Sequence, residues 1–293
     1  MQLFDSHAHY NDEKFDEDRE KIIEEIHKSG VEKLIVAGYS LDSSISALEI
    51  AKQYEWIYTI SGISPNDIPE AKVDLEKQLI NLQDFIEKNL SKPLAHNEIN
   101  SDKNTTENDN IKALKNNLKA KNKIVAIGEI GLDYYWEKDE ERRKLQQIAF
   151  IKQINIANEF ELPIVIHTRE AVMDTLEILK KYPVAKRGVF HCCPLNRELV
   201  KEALKLGYYI SFAGPITFKN SKNANEIIEL VPLNRILIET DSPYLAPEPK
   251  RGTRNDSRNV KYMAEKIASV KKMQAKEIAK ITFENACDLF NIE

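Results

Sequence analysis

The sequence holds too little of several things to belong to some large classes. Its three cysteines, Cys192, Cys193 and Cys287, are an odd number without a C-x-x-C spacing, so neither a disulfide framework nor a zinc ribbon is indicated. Nine glycines and 11 prolines in 293 residues exclude collagen-like and mucin-like chains. No apolar run approaches the roughly 18 residues needed to span a bilayer, and the amino terminus lacks a charged start followed by an apolar stretch. Neither sign of charge dominates: 42 Lys and Arg stand against 47 Asp and Glu, a formal net charge of −5. Such a surface does not coat nucleic acid or anionic lipid by charge alone, so a polyanion must be gripped locally. The expectation is a soluble cytoplasmic protein with no membrane contact and no obligatory protein partner.

What is present suffices for a large core. Hydrophobic residues make up 42% and charged residues 30%, which excludes wholesale disorder. Eight short β-branched and apolar runs recur at 2–6, 33–37, 56–61, 124–128, 163–166, 188–190, 208–212 and 235–238. Most lack alternation, as strands buried on both faces do. Helical periodicity fills segments between them, at 15–29, 41–54, 139–160, 169–180, 196–206 and 225–230, and two more helices close the chain at 259–270 and 275–290. The pattern predicts a (β/α)8 TIM barrel occupying 1–293 as a single metallohydrolase domain, with a doubly wound open sheet as the runner-up. The stretch 91–123 breaks the rhythm. It is rich in Asn, Lys, Asp and Glu, reads as a polar surface insertion between the third and fourth strands, and contains His96 as a solvated side chain.

Four of the six histidines fall where a strand hands over to its loop: His7, His9, His167 and His191. Chance would put fewer than one there, and barrel active sites are built at that carboxyl face. Side chains at i and i+2 of a strand share a side, so His7 and His9 can reach one ion. Glu129 and Asp241 end apolar strands, where an acid is costly to bury unless it meets a cation or hydrogen bonds. Glu239 is expected to anchor a hydrogen bond rather than to ligate. Four imidazoles and two carboxylates exceed one tetrahedral zinc but suit two divalent ions about 3.5–4 Å apart with Glu129 between them, an arrangement that activates water for hydrolysis. Zn²⁺, Mn²⁺ and Mg²⁺ all remain compatible with these ligands.

Asp5-Ser-His-Ala-His9, Gly128-Glu-Ile-Gly-Leu-Asp-Tyr134, Ile166-His-Thr-Arg-Glu-Ala171, Phe190-His191, Glu239-Thr-Asp-Ser-Pro-Tyr244 and Leu245-Ala-Pro-Glu-Pro-Lys-Arg-Gly-Thr-Arg-Asn255 follow one another along almost the whole chain. This series resembles the TatD-type metal-dependent deoxyribonucleases of the amidohydrolase-like barrel superfamily. The resemblance implies that His7 and His9 hold one metal, that Glu129 bridges, that His167 and His191 serve the second, and that Asp241 orients or deprotonates the attacking water. It also implies phosphodiester hydrolysis in DNA with divalent cations. Gly62-Ile-Ser-Pro65 departs from the family's Gly-x-His-Pro turn by Ser64, which leaves the ligands intact and puts rate and substrate preference in question.

Substrate contacts are expected from Arg169, as a phosphate clamp, and from the cationic loop carrying Lys250, Arg251, Arg254 and Arg258. Tyr134, with Tyr135 and Trp136, is expected to stack on unpaired bases. Cys193 reads as a packed, inert thiol. Two rivals stand beside the nuclease: hydrolysis of a small ester, lactone, amide or phosphotriester on the same barrel, and a barrel that only binds a partner.

Overall fold

The structure is a computed structural model, which describes residues 1–90 and 122–293. The expected insertion and His96 lie outside the described residues, apart from Asn122 and Lys123 at its end.

Eight parallel strands follow one another around the sheet in chain order, as the sequence predicts for a (β/α)8 barrel. They are β1 (Leu3–Ala8), β2 (Val31–Ala37), β3 (Ile57–Ser61), β4 (Ile124–Asp133), β5 (Ile164–Arg169), β6 (Gly188–Phe190), β7 (Tyr209–Phe212) and β8 (Ile236–Ile238). The seam between first and last is drawn together by Ser6, whose hydroxyl donates to the Ile238 carbonyl at 3.0 Å, and by the Asp241 amide, which donates to the His7 carbonyl at 2.9 Å. The α-helices among the described residues are α1 (Arg19–Lys28), α2 (Leu41–Gln53), α3 (Lys72–Asn89), α4 (Glu140–Glu159), α5 (Val172–Lys181), α6 (Arg197–Lys205), α7 (Ala224–Leu230), α8 (Val260–Lys271) and α9 (Ala275–Phe290). None is long and apolar enough to cross a membrane.

Local chemistry sets several helix starts. Ser40, Asp139 and Asn196 accept hydrogen bonds from the amides of Ser43, Arg142 and Leu199, which satisfies donors that α2, α4 and α6 would otherwise leave free. The strands bury both faces. Leu34, Val36, Ile127, Ile164, Ile166 and Ile210 meet the helices, represented by Ile23, Ile26, Ala47, Leu79 and Phe150. Phe4, Ile35, Ile60, Val165, Val189 and Leu237 belong to a second cluster with Leu289, Phe290 and Ile292, so α9 and the residues after it pack with the inner apolar strand residues. Each such side chain contributes roughly 1.5–3 kcal/mol by leaving water.

Two departures from the sequence reading matter. Helix α3 was not among the expected segments, although Leu75, Leu79, Leu82 and Ile86 form its buried stripe. Strands β4 and β5 also run further than expected, with Gly131, Leu132 and Asp133 paired against His167, Thr168 and Arg169. The helix expected from 169 therefore begins only at Val172.

Gly131 makes the extension possible. Its φ is +142°, and a Cβ there would stand 2.0 Å from the His167 carbonyl oxygen. Gly131→Ala is expected to cost more than about 2 kcal/mol, from strain and from forcing β4 away from β5. Urea unfolding measures it, and a loss within about 0.5 kcal/mol would show that the two strands separate freely.

Candidate metal centre

Strand ends bring the expected residues to one place. His7 lies in β1 and His9 one residue beyond it, with a register irregularity between Asp5 and Ala8. Their Nε2 atoms are 3.2 Å apart. The His9 amide donates to the Ser242 carbonyl at 2.6 Å, and its Nδ1 is 3.3 Å from the Ala37 carbonyl. His191 follows β6, its amide donating to the Ile166 carbonyl, and its ring stacks on that of His7 with centroids 4.2 Å apart. His167 Nδ1 is 3.1 Å from His191 Nε2.

Glu129 sits between the two imidazole pairs. The β4–β5 register shifts between Ile127 and Ile130, and the Glu129 amide leaves that ladder to bond the Gly38 carbonyl at 2.9 Å. Its Oε2 is 3.5 Å from His7 Nε2 and 3.8 Å from His9 Nε2, while Oε1 is 2.9 Å from His167 Nδ1 and 3.2 Å from His191 Nε2. Asp241, in the left-handed region at φ 57°, faces the first pair, with Oδ1 3.3 Å from His9 Nε2 and 3.7 Å from His7 Nε2.

The electrostatics follow from burial and proximity. Burial raises the Glu129 carboxyl, but the charge of His191 and bonds from His167, His191 and His7 outweigh it and hold the group well below the usual range. Asp241 is held at about 2 against its own burial by the bond and charge of His9. His191 is raised well above the usual imidazole value because Glu129 and Glu239 overcome its burial. Two ionised carboxylates therefore face four imidazoles whose ring nitrogens converge, a set that a divalent cation would fit once it displaces the imidazole protons. Three subsets bring their ligating atoms within 4.8 Å of one another and can hold a metal ion: His7, His9 and Glu129; Glu129, His167 and His191; His7, His191 and Asp241.

Two acids around this group, Asp133 and Asp5, have no role assigned from the sequence. Asp133 places Oδ2 3.1 Å from His167 Nε2 and accepts the amides of Tyr135 and Trp136 on Oδ1, so it orients the ring from behind. Asp5 accepts the Thr240 amide at 2.9 Å and its hydroxyl at 2.5 Å, tying β1 to the segment that carries Asp241, and burial pushes its carboxyl up to about 7 against those bonds. The positional test that singled out Glu129, an acid inside an apolar strand, applies equally to Asp5. Glu239 accepts the Cys192 amide at 2.6 Å and lies 3.5 Å from His191 Nδ1, the anchoring position expected of it. Ser64 donates to Asp67 Oδ2 at 2.5 Å within a short turn, and the neighbouring Asn66 donates to Asp133.

The model of the TatD-related DNase family matches residues 4–291. The chain belongs to that family. A relative from Bacillus subtilis, YabD, named an uncharacterized metal-dependent hydrolase, is 38% identical over 291 residues, 99% of each chain. Among solved structures, the Escherichia coli TatD homologue YJJV superposes with a TM-score of 0.82 at 24% identity, covering 100% of this chain and 99% of its own. A TatD-family hydrolase from Entamoeba histolytica gives 0.79 at 21% identity, with 100% and 99% covered. At these identities the two structures establish the shared fold.

On the rim of this TatD-family barrel the residues expected to touch substrate divide. Arg169 is exposed at the end of β5, its guanidinium 3.8 Å from the centre of the Tyr135 ring. Lys250 is exposed, and Arg251 lies over the Phe218 ring at 3.7 Å. Neither forms an ion pair among the described residues. Arg254, expected as a substrate contact, is engaged elsewhere: both terminal nitrogens reach Asp18, at 2.9 and 2.5 Å, and Nη1 also donates to the Lys14 carbonyl. Arg258 is held by Asp256 and Glu25. Tyr134, expected to stack on bases, does not face the mouth. Its ring is buried, and its hydroxyl donates to Asp174 at 2.7 Å while accepting from Gln147, so it offers no face to a base. Tyr135 and Trp136, 40% and 67% exposed, carry the open aromatic surface. The Cys193 thiol is buried, and burial keeps it protonated.

Arg254→Ala is expected to lower stability by about 1 kcal/mol through loss of a two-pronged ion pair, whereas Arg251→Ala should change it by less than about 0.5 kcal/mol. Urea unfolding of the two variants side by side measures the difference. Equal values would return Arg254 to the free cations of the rim.

Proposed function

We propose that the protein is a divalent-metal-dependent hydrolase that cleaves phosphodiester bonds in DNA. The observation carrying this reading is the division of Glu129, with Oε2 turned to His7 and His9 and Oε1 to His167 and His191. Membership of the TatD-related DNase family supports it. On this reading His7, His9 and Asp241 would hold one ion with Oε2, His167 and His191 would hold a second with Oε1, and the ions would be Zn²⁺, Mn²⁺ or Mg²⁺. A bound pair of divalent cations supplies positive charge that favours hydroxide near neutral pH and offsets the charge built up on phosphorus.

The chain's own residues do the rest. Asp241, ionised beside His9, accepts the proton of the attacking water on a carboxylate oxygen. Asp133 fixes the plane of His167 through Nε2, and Glu239 anchors the turn that carries His191. Arg169 presents its N–H edge to a non-bridging phosphate oxygen, and Lys250 and Arg251 meet flanking phosphates. The cytoplasm suits an enzyme whose three thiols are free.

Purified protein assayed with each ion on end-labelled single- and double-stranded DNA, beside a lactone and a phosphotriester, tests the proposal. DNA cleavage is expected, to be abolished by a chelator and restored by the ion. Inert DNA with turnover of the lactone or phosphotriester would reject the substrate assignment. No turnover and no bound ion by elemental analysis would leave a barrel that only binds. Glu129→Gln and His9→Ala are expected to lower kcat/KM at least about a thousandfold with the far-ultraviolet circular dichroism unchanged. Full activity of the Glu129 variant would be incompatible with a bridging carboxylate.

A further inference from the structure

Trp136 is 67% exposed at the mouth of the barrel, three residues after the aspartate that touches His167. Its neighbours are the Tyr135 ring and the Arg169 guanidinium, whereas Trp56 is stacked on His27 with centroids 4.6 Å apart. The turn that presents Trp136 is held firmly. Asp133 Oδ1 accepts the Tyr135 amide at 2.9 Å and the Trp136 amide at 3.2 Å, while its Oδ2 lies against His167. One carboxylate thus sets the position of both an imidazole of the metal centre and the aromatic turn.

Both rings lie near Arg169, Tyr135 the closer, and the guanidinium carbon is 5.6 Å from the Trp136 ring centre. Tyr135 meets Trp136 edge to face, with centroids 4.8 Å apart and planes at 84°, and its own ring centre lies 3.8 Å from the Arg169 guanidinium carbon. Arg169 makes no side-chain hydrogen bond or ion pair among the described residues. Tyr135 therefore holds the guanidinium by cation–π attraction and leaves its N–H groups free, while Trp136 keeps most of its surface open. A free guanidinium edge beside an open indole matches one nucleotide unit, an anionic phosphate joined through a sugar to a flat base.

We infer that Trp136 is the platform on which an unpaired nucleobase of the substrate strand stacks, with Tyr135 as the positioning residue that aims Arg169 at that nucleotide's phosphate. The inference rests on the deoxyribonuclease reading and adds which side chains grip the strand. Stacking does not distinguish among bases, so the grip is sequence-tolerant, and a base inside a duplex must leave its stack to reach it.

Two oligomers of equal length test it, an oligothymidylate and one made of abasic residues, with the wild type, Trp136→Ala and Trp136→Phe. The wild type is expected to show a KM for oligothymidylate about tenfold below that for the abasic oligomer. Trp136→Ala should raise the oligothymidylate KM about tenfold and erase the difference, and Trp136→Phe should keep most of it. Binding has its own readout. Trp56 is packed and Trp136 open, so oligothymidylate should quench indole fluorescence in the wild type and not in Trp136→Ala, while the abasic oligomer quenches neither. A KM ratio that survives Trp136→Ala, or absence of quenching, would overturn the platform. If the wild type cuts neither oligomer the deoxyribonuclease reading falls, and quenching decides the platform on its own.

Discussion

An ionised carboxylate in the interior of a protein needs positive charge or hydrogen-bond donors around it, and the carboxyl end of this barrel is arranged around that requirement at Glu129. The group is 8% exposed and has left the strand ladder to reach the centre. Removing such an ion from water costs several kcal/mol, which attraction repays only when the surrounding geometry is good and the lone pairs are filled. Here both oxygens are faced by imidazole nitrogens on each side. Neutral imidazoles would offer lone pairs rather than charge, so the cluster needs either protons or divalent ions. Divalent ions can meet that need, since three subsets of these side chains converge closely enough to hold one.

The arrangement depends on parts of the chain that never touch the centre. Gly131 allows β4 to lie against His167, and the same extension carries Asp133 far enough along the sheet to reach the far nitrogen of that ring. Asp5 performs the matching task at the seam, where its bonds to Thr240 fix the backbone that holds Asp241 in a left-handed conformation. Two buried acids thus act by placement, one behind each half of the site, and each is joined to a residue on a neighbouring strand or on the loop that follows one. Placement of this kind matters because a ligand out of position by 1 Å loses much of its effect.

The fold and the six central side chains were legible because both rest on position along a strand. An apolar run carries its meaning in one dimension: eight of them predict the order of the sheet, and five hand over to His or an acid. What escaped depended on the third dimension. Helix α3 has a plain stripe of Leu75, Leu79, Leu82 and Ile86, but it stands in a long polar crossover whose composition masked the period. Arg254 and Tyr134 read as functional because cations and aromatics near a site are common ligands for polyanions. Their fates were decided by Asp18 and Asp174, residues 236 and 40 positions away, which no local pattern connects to them. Asp133 and Asp5 could have been found, since both are acids in apolar strands, yet only their partners show that they orient rather than ligate.

The division of the rim cations bears on how an acidic protein would hold a polyanion, the substrate proposed above. With a formal charge of −5 the molecule has no broad attractive field, and two of the arginines in the loop after β8 are neutralised by Asp18, Asp256 and Glu25. Of the rim cations expected to touch substrate, those without an ion pair among the described residues are Arg169 at the end of β5 and Lys250 with Arg251 in the loop after β8. Two or three phosphate contacts release few counterions, so electrostatics alone supply modest affinity that falls only gently with salt. On the proposed deoxyribonuclease reading, grip of the strand would then come from groups that act at contact distance: an open indole, a guanidinium aimed by an aromatic ring, and the metal centre itself. Contact forces of that kind reward a strand whose bases are already unstacked, whereas a long-range field would have drawn in duplex and single strand alike.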